Sequence, residues 1–215
     1  MRPVICLITP PRPPESAGAR DLVDRIGAAA RAGVHLVQVR QPDVEGRPLV
    51  ELAAAAVAAV RGTRTRVLVN DRLDVALAAG AHGVHLRGES MPAGRVRAAA
   101  PPGFLIGRSV HAAAEARTVA ADGALDYLIY GTVFATGSKP EVRAAGTAEL
   151  AAVCAAAPVP VLAIGGITVE RLGAVAAAGA DGFAAIGLFA GVTPDRLHEI
   201  VERAICAFDT PATVP

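Results

Sequence analysis

Lysine occurs once in this 215-residue chain, tryptophan not at all, and aromatic residues make up only 3% of it. The scarcity of aromatics leaves the 53% hydrophobic share mostly to Ala, Val, Leu and Ile, which suits alanine-rich helices packed on Val/Ile strands. No aromatic-basic interleaving and no basic stripe stand out against a formal net charge of +1, so no nucleic-acid partner is expected. No membrane partner is expected either. The longest apolar stretch, LVELAAAAVAAV over 49–60, is too short and too alanine-rich to span a bilayer, and there is no polybasic run. Cys6, Cys154 and Cys206 are isolated and odd in number, which argues against a disulfide framework or a cysteine metal motif. Buried thiols in a reducing cytoplasm are the expectation. The opening MRPVICLITP has proline near both ends and no small-residue cleavage pattern, so it reads as a strand and not as a signal peptide.

What the chain does have is alternation. Short β-rich runs fall at 3–9, 36–40, 66–70, 83–86, 104–109, 127–133, 159–165 and 182–187. Helical stretches lie between them at 20–32, 47–61, 72–79, 112–121, 146–157, 168–178 and 194–208. RAGVHLVQVR, AAGAHGVHLR and AAGADGFAAIG each set glycine where a helix closes in the left-handed conformation before the next strand. A βα unit of roughly 25 residues thus repeats along the chain, and a single (β/α)8 TIM barrel over 1–215 is the natural closure. An open doubly wound sheet is the competitor. No linker divides the chain; 10–19 and 137–146 read as long loops, and the tail after Phe208 as frayed.

Barrels of this kind keep their chemistry at the carboxyl ends of the strands. AIGGIT (163–168) and AAIGLF (184–189) end the last two strands with glycines, which let a phosphate approach backbone N–H groups and a helix N-terminus. GTVFATGSKP (131–140) offers Thr136, Gly137, Ser138 and the lone lysine, Lys139, a set suited to phosphate or diphosphate. Gln38 and Arg40 share one face of the second strand, where they could hold a ligand or simply salt-bridge inside the barrel. Asn70 and Asp71 close the third strand; Asp71 could ligate Mg2+, but capping the next helix is the simpler reading. The polar break in FLIGRSVH (104–111) puts Ser109 and His111 at the end of the fifth strand, and His111 is the best general acid/base in the chain. His85 is a weaker candidate, and His35, His82 and His198 read as structural. Arg108 points away from Ser109 if the strand continues and also reads as structural. No Ser-His-Asp spacing, zinc motif or GxGxxG fingerprint occurs.

Taken together, LVQVR (36–40), LVNDRLDVALAAGAHGVHL (68–86), GRSVH (107–111), GTVFATGSK (131–139) and AIGGIT (163–168) resemble the thiamine-phosphate synthase/TenI family of barrels. The resemblance covers nearly the whole chain and implies a site for a thiazole phosphate, its phosphate held at Gly166, Ile186 and Gly187. It matches Ser109 and Lys139 to diphosphate and pyrimidine contacts, and Thr136 to Ser138 to the thiazole-side loop. Two activities come with the family: a Mg2+-dependent synthase and a metal-free thiazole tautomerase.

Two departures bear on the choice. Gln38-Val39-Arg40-Gln41-Pro42 has proline where the synthase pattern has lysine, and Arg87-Gly88-Glu89-Ser90 has serine where it has a second Mg2+-binding aspartate. Glu89 could supply a substitute carboxylate. The expectation from these departures is an isomerase, a thiazole tautomerase without cofactor in which His111 moves the proton. Thiamine-phosphate synthase, joining hydroxymethylpyrimidine diphosphate to thiazole phosphate with Mg2+ at Asp71, is the alternative, and a non-catalytic phosphate-metabolite-binding regulator is the third reading. A homodimer is a further expectation, from the alanine-rich helix faces.

Overall fold

The computed structural model describes residues 3–11, 16–137 and 141–209. Among these, the elements run β1 (Val4–Ile8), α1 (Ser16–Arg31), β2 (Leu36–Val39), α2 (Arg47–Ala59), β3 (Arg66–Asn70), α3 (Leu73–Ala78), β4 (Gly83–Leu86) and α4 (Ala93–Ala99). They continue with β5 (Leu105–Val110), α5 (Ala113–Val119), β6 (Tyr127–Tyr130), α6 (Gly146–Ala156), β7 (Val161–Ile164), α7 (Leu172–Ala177), β8 (Gly182–Ala185) and α8 (Pro194–Asp209). Every neighbouring pair of strands is parallel, and β8 returns to β1 with Val4 beside Gly182 and Leu7 beside Ala185. That last pairing closes the (β/α)8 barrel and excludes the open sheet.

Alternation along each strand builds two apolar layers from one sheet. Outward residues such as Ile5, Val37, Val67, Val69, Val84, Ile106, Leu128 and Phe183 pack against helix residues including Ile26, Leu49, Val75, Val96 and Leu172. Inward residues Cys6, Ile8, Leu36, Leu68, Tyr127, Ile129, Leu162 and Ala184 fill the barrel itself. Both faces are therefore dry, which is why the strands read as continuous hydrophobic runs and not as alternating ones.

The boundaries differ from the sequence reading where polar ends dilute the pattern. Helix α1 begins at Ser16, inside the stretch expected to be loop, because SAGAR carries no apolar periodicity. Helix α4 was not expected at all; AGRVRAA is short and two of its seven residues are arginine. The run read as helix 168–178 opens with a 3-10 turn, Val169–Arg171, before α7. Strands β6, β7 and β8 stop earlier than expected, and Gly131, Gly165 and Ile186 already belong to the mouth. Of the thiols, Cys6 is fully buried but Cys206 is exposed, so burial holds for only part of the set. His35 and His82 are structural as expected: their Nδ1 atoms accept the N–H groups of Ile5 at 3.2 Å and Val67 at 3.0 Å. Among the described residues no helix is long and apolar enough to cross a membrane.

Closure depends on missing side chains. A Cβ at Gly182 would strike the backbone of Val4, and one at Gly83 the backbone oxygen of Leu105. Since the strands on either side cannot move apart without breaking the ladder, Gly182→Ala should lower unfolding free energy by about 3 kcal/mol in urea titration, the upper end of overpacking costs. Gly173→Ala, in α7 with open space around it, should be neutral or stabilising by about 0.5–1 kcal/mol.

Candidate active site

Going up the inward faces of β2 to β5, the last positions turn from apolar to polar: Leu36 to Gln38, Leu68 to Asn70, Gly83 to His85, and Leu105 through Gly107 to Ser109. Register sets Asn70 beside His85 and His85 beside Gly107, so these groups form a connected arc at the carboxyl ends of adjacent strands. Gln38 Nε2 donates to Asn70 Oδ1 at 2.9 Å. Gln38 Oε1 is left buried with no protein partner, an acceptor at the edge of the mouth. Arg40, half-buried one step further up β2, makes no ion pair among the described residues; its backbone is pinned to Thr9, whose Oγ1 accepts the Arg40 N–H at 2.9 Å. Salt-bridging inside the barrel, the bland reading of Arg40, is thus not what the structure shows.

The sequence underrated His85. Its imidazole is buried between Tyr127, whose hydroxyl is 3.0 Å from Nδ1, and Ser109, whose Oγ is 2.9 Å from Nε2. Tyr127 fits only because Gly107 has no Cβ, which would otherwise overlap the phenol ring. Burial pushes the His85 pKa down to about 3, the nearby Asp71 carboxylate offsets part of this, and the Arg108 guanidinium adds to it, so the ring is neutral near pH 7. Burial likewise pushes the Tyr127 pKa well above its ordinary value, so the phenol keeps its proton. With no other acceptor among the described residues, that buried proton goes to Nδ1. Nε2–H then donates to Ser109 Oγ, and the serine hydroxyl keeps its own proton for a ligand. Arg108 faces outward as expected, donating to the carbonyls of Gly88 at 2.6 Å, Ser90 at 3.2 Å and Met91 at 3.3 Å, which braces the loop after β4.

His111 lies exposed just past β5. Its Nδ1–H donates to the Gly131 carbonyl at 2.9 Å and its backbone N–H to Glu115 Oε2 at 2.7 Å, leaving Nε2 as an acceptor at the rim. Asp71 is not a helix cap: α3 is preceded by Arg72 without a side-chain cap bond. Asp71 sits at a left-handed φ of 60° with its N–H on the His85 carbonyl at 2.8 Å. Arg87 donates to Asp71 Oδ2 from Nε at 2.7 Å and from Nη2 at 2.6 Å, and the Ser90 hydroxyl donates to Oδ1.

This donor set does not fit the magnesium ion that the family resemblance implies. One carboxylate is present, both its oxygens are engaged, and the nearest partner is a cation. Glu89 is exposed, and among the described residues no group of three His, Cys, Asp or Glu side chains gathers as a metal site.

Across the mouth, Gly165 and Gly166 follow β7 at φ values of 101° and 61°, and Gly187 opens a 3-10 turn, Gly187–Phe189, just after Ile186. A Cβ on Gly166 would meet the backbone oxygens of Phe134 and Ala135, so this turn packs directly on the loop that carries Thr136 and Gly137. Arg171 locks the corner, donating to the Gly166 carbonyl at 2.6 Å and lying 4.8 Å from the Phe134 ring centre. Ser138 and Lys139 lie outside the described residues.

The architecture defines a parallel (β/α)8 barrel with a polar mouth at the carboxyl ends of its strands. The family model described as thiamine monophosphate synthase matches residues 5–189. The chain belongs to that family. It is 44% identical over 173 residues to the thiamine-phosphate synthase of Methanoculleus marisnigri, covering 80% of this chain and 82% of that one. It is 39% identical over 206 residues to the thiamine-phosphate synthase of Roseiflexus castenholzii, covering 95% of this chain and 87% of that one. Among solved structures, thiamine phosphate pyrophosphorylase from Pyrococcus furiosus superposes with a TM-score of 0.78 at 29% identity, covering 94% of this chain and 96% of that one.

These relatives overturn the tautomerase expectation and, with it, the isomerase class. That expectation weighed two substituted positions, 42 and 90, above the likeness of the whole chain to named synthases.

The buried neutral imidazole has a pH signature. With a folded pKa near 3 and an ordinary value near 6.5, the unfolded chain binds the extra proton between those limits. Stability from this group is fully present above about pH 6.5 and falls by about 1.4 kcal/mol per unit as pH drops toward 3. Urea titrations between pH 7 and 5 should show this slope in the wild type and a flatter one in His85→Gln; equal slopes would exclude a neutral buried His85.

Proposed function

We propose that the chain is a thiamine-phosphate synthase, a transferase that joins hydroxymethylpyrimidine diphosphate to thiazole phosphate and releases diphosphate. The observation that carries this reading is the 39% identity to a named synthase across 95% of the chain. The mouth supports it. Thiazole phosphate would sit at the Gly166, Ile186 and Gly187 turns, where a dianion can approach backbone N–H groups, with Thr136, Gly137 and Ser138 beside it. The Arg171 guanidinium fixes that corner and lends it positive charge.

The pyrimidine would meet the opposite arc. Gln38 Oε1, the buried acceptor without a partner, suits an N–H donor of the ring, and Asn70 orients Gln38. Ser109, its hydroxyl proton left free by His85, would donate to the diphosphate, and Lys139 and Arg40 would add positive charge. His111 would serve as a rim contact through Nε2. The transfer needs chiefly two things from the protein: reactants held in line and charge stabilised on the departing diphosphate. Neither requires a proton to be taken from carbon.

Purified protein supplied with both substrates should form thiamine phosphate. Ser109→Ala should lower kcat/KM by about ten- to a hundredfold, the loss expected for a hydrogen bond to a charged group. Absence of thiamine phosphate at every magnesium concentration would overturn the reading.

A further inference from the structure

Position 90, where a second carboxylate would make a dication site, holds serine, and a cation, Arg87, stands against Asp71 instead. Asp71 and Arg87 form an ion pair at the ends of β3 and β4, and Ser90, uncharged, closes it. The local charge is zero, where two carboxylates would give minus two. The pair stands on a rigid base: the Arg87 N–H donates to Ser90 Oγ at 2.8 Å, the Ser90 N–H donates to the Arg87 carbonyl at 3.2 Å, and Arg108 holds three carbonyls of the same loop. Asp71 is engaged by Nε and one terminal nitrogen of Arg87, while that side chain remains 70% exposed, with N–H groups left over at the mouth. On the other side of β3, Arg40 carries a guanidinium with no ion-pair partner among the described residues. The ends of β2, β3 and β4 thus bring two arginines, Arg40 and Arg87, and one paired aspartate, Asp71, to neighbouring places at the mouth.

We propose that Arg87 is a diphosphate ligand that takes over the charge-neutralising place of a metal ion, so that this chain binds diphosphate without magnesium. The inference rests on the synthase reading above. A guanidinium presents planar, paired donors that match phosphate oxygens, and Asp71 holds this one at the strand end instead of letting it spread into solvent. Asp71 thereby acts as a positioning residue for Arg87, not as a metal ligand. Arg87 would also supply positive charge that the synthase pattern draws from a lysine at position 42, where this chain has proline.

The test uses inorganic pyrophosphate as the probe, titrated calorimetrically into the full chain in EDTA and again in excess magnesium. Wild-type affinity should agree within about threefold between the two buffers. In EDTA, Arg87→Ala should weaken binding at least tenfold and Arg87→Lys should recover part of the loss, with thermal melts reporting that each variant is folded. The double variant Arg87→Gln, Ser90→Asp should bind tightly only with magnesium. Wild-type binding that requires magnesium, or binding that survives Arg87→Ala unchanged, would overturn the proposal. A parallel assay for thiamine phosphate separates the two readings. Arg87-dependent pyrophosphate binding without product would keep the Arg87 site and overturn the synthase. Product formed only with magnesium would keep the synthase and overturn the Arg87 site.

Discussion

Four inward-facing positions without side chains govern this barrel. Gly83 and Gly182 let β4 and β8 lie against the backbones of their neighbours, and Gly131 does the same against the Ile164 carbonyl. Gly107 leaves room inside the barrel for an aromatic ring, which Tyr127 fills. In a closed sheet every strand has two partners, so a clash at one position cannot be relieved at a free edge.

The same vacancy at Gly107 reaches the chemistry. Because Tyr127 can lie there, its hydroxyl meets His85, and His85 in turn orients Ser109. A dry core below the arc keeps the imidazole neutral, so it orients the serine by hydrogen bonding and not by charge. Packing at Gly107, two residues before Ser109, therefore bears on which way the serine hydroxyl proton faces. At the neighbouring strand ends the logic is electrostatic: Asp71, Arg87 and Ser90 form a closed neutral unit held by a loop that Arg108 braces from the outer face.

The tautomerase expectation failed for a reason visible in these residues. Proline at 42 and serine at 90 each replace a charged residue of the synthase pattern, and from the sequence each looks like a loss. In the sequence Arg87 stands out only as the first residue of the run Arg87-Gly88-Glu89-Ser90. Its pairing with Asp71 could not be inferred, because residues 71 and 87 meet only when β3 and β4 lie side by side in register. His85 was underrated for a similar cause: one histidine in an apolar strand carries no mark of the tyrosine and serine that sandwich it.

The sequence by itself determined the alternation of eight strands with helices, hence the barrel, because burial of both strand faces writes continuous Val/Ile/Leu runs separated by glycine-closed helices. It also marked the strand ends at Gln38, Asn70, Asp71, Ser109, Gly166 and Gly187, since polar or glycine residues ending a buried run break a local pattern. Tertiary structure alone decided the partners: Tyr127 with His85, Gln38 with Asn70, Arg87 with Asp71. Each pair lies on different strands or loops, and strand register with side-chain direction, neither of which is a local property of the chain, brings its members within hydrogen-bonding reach.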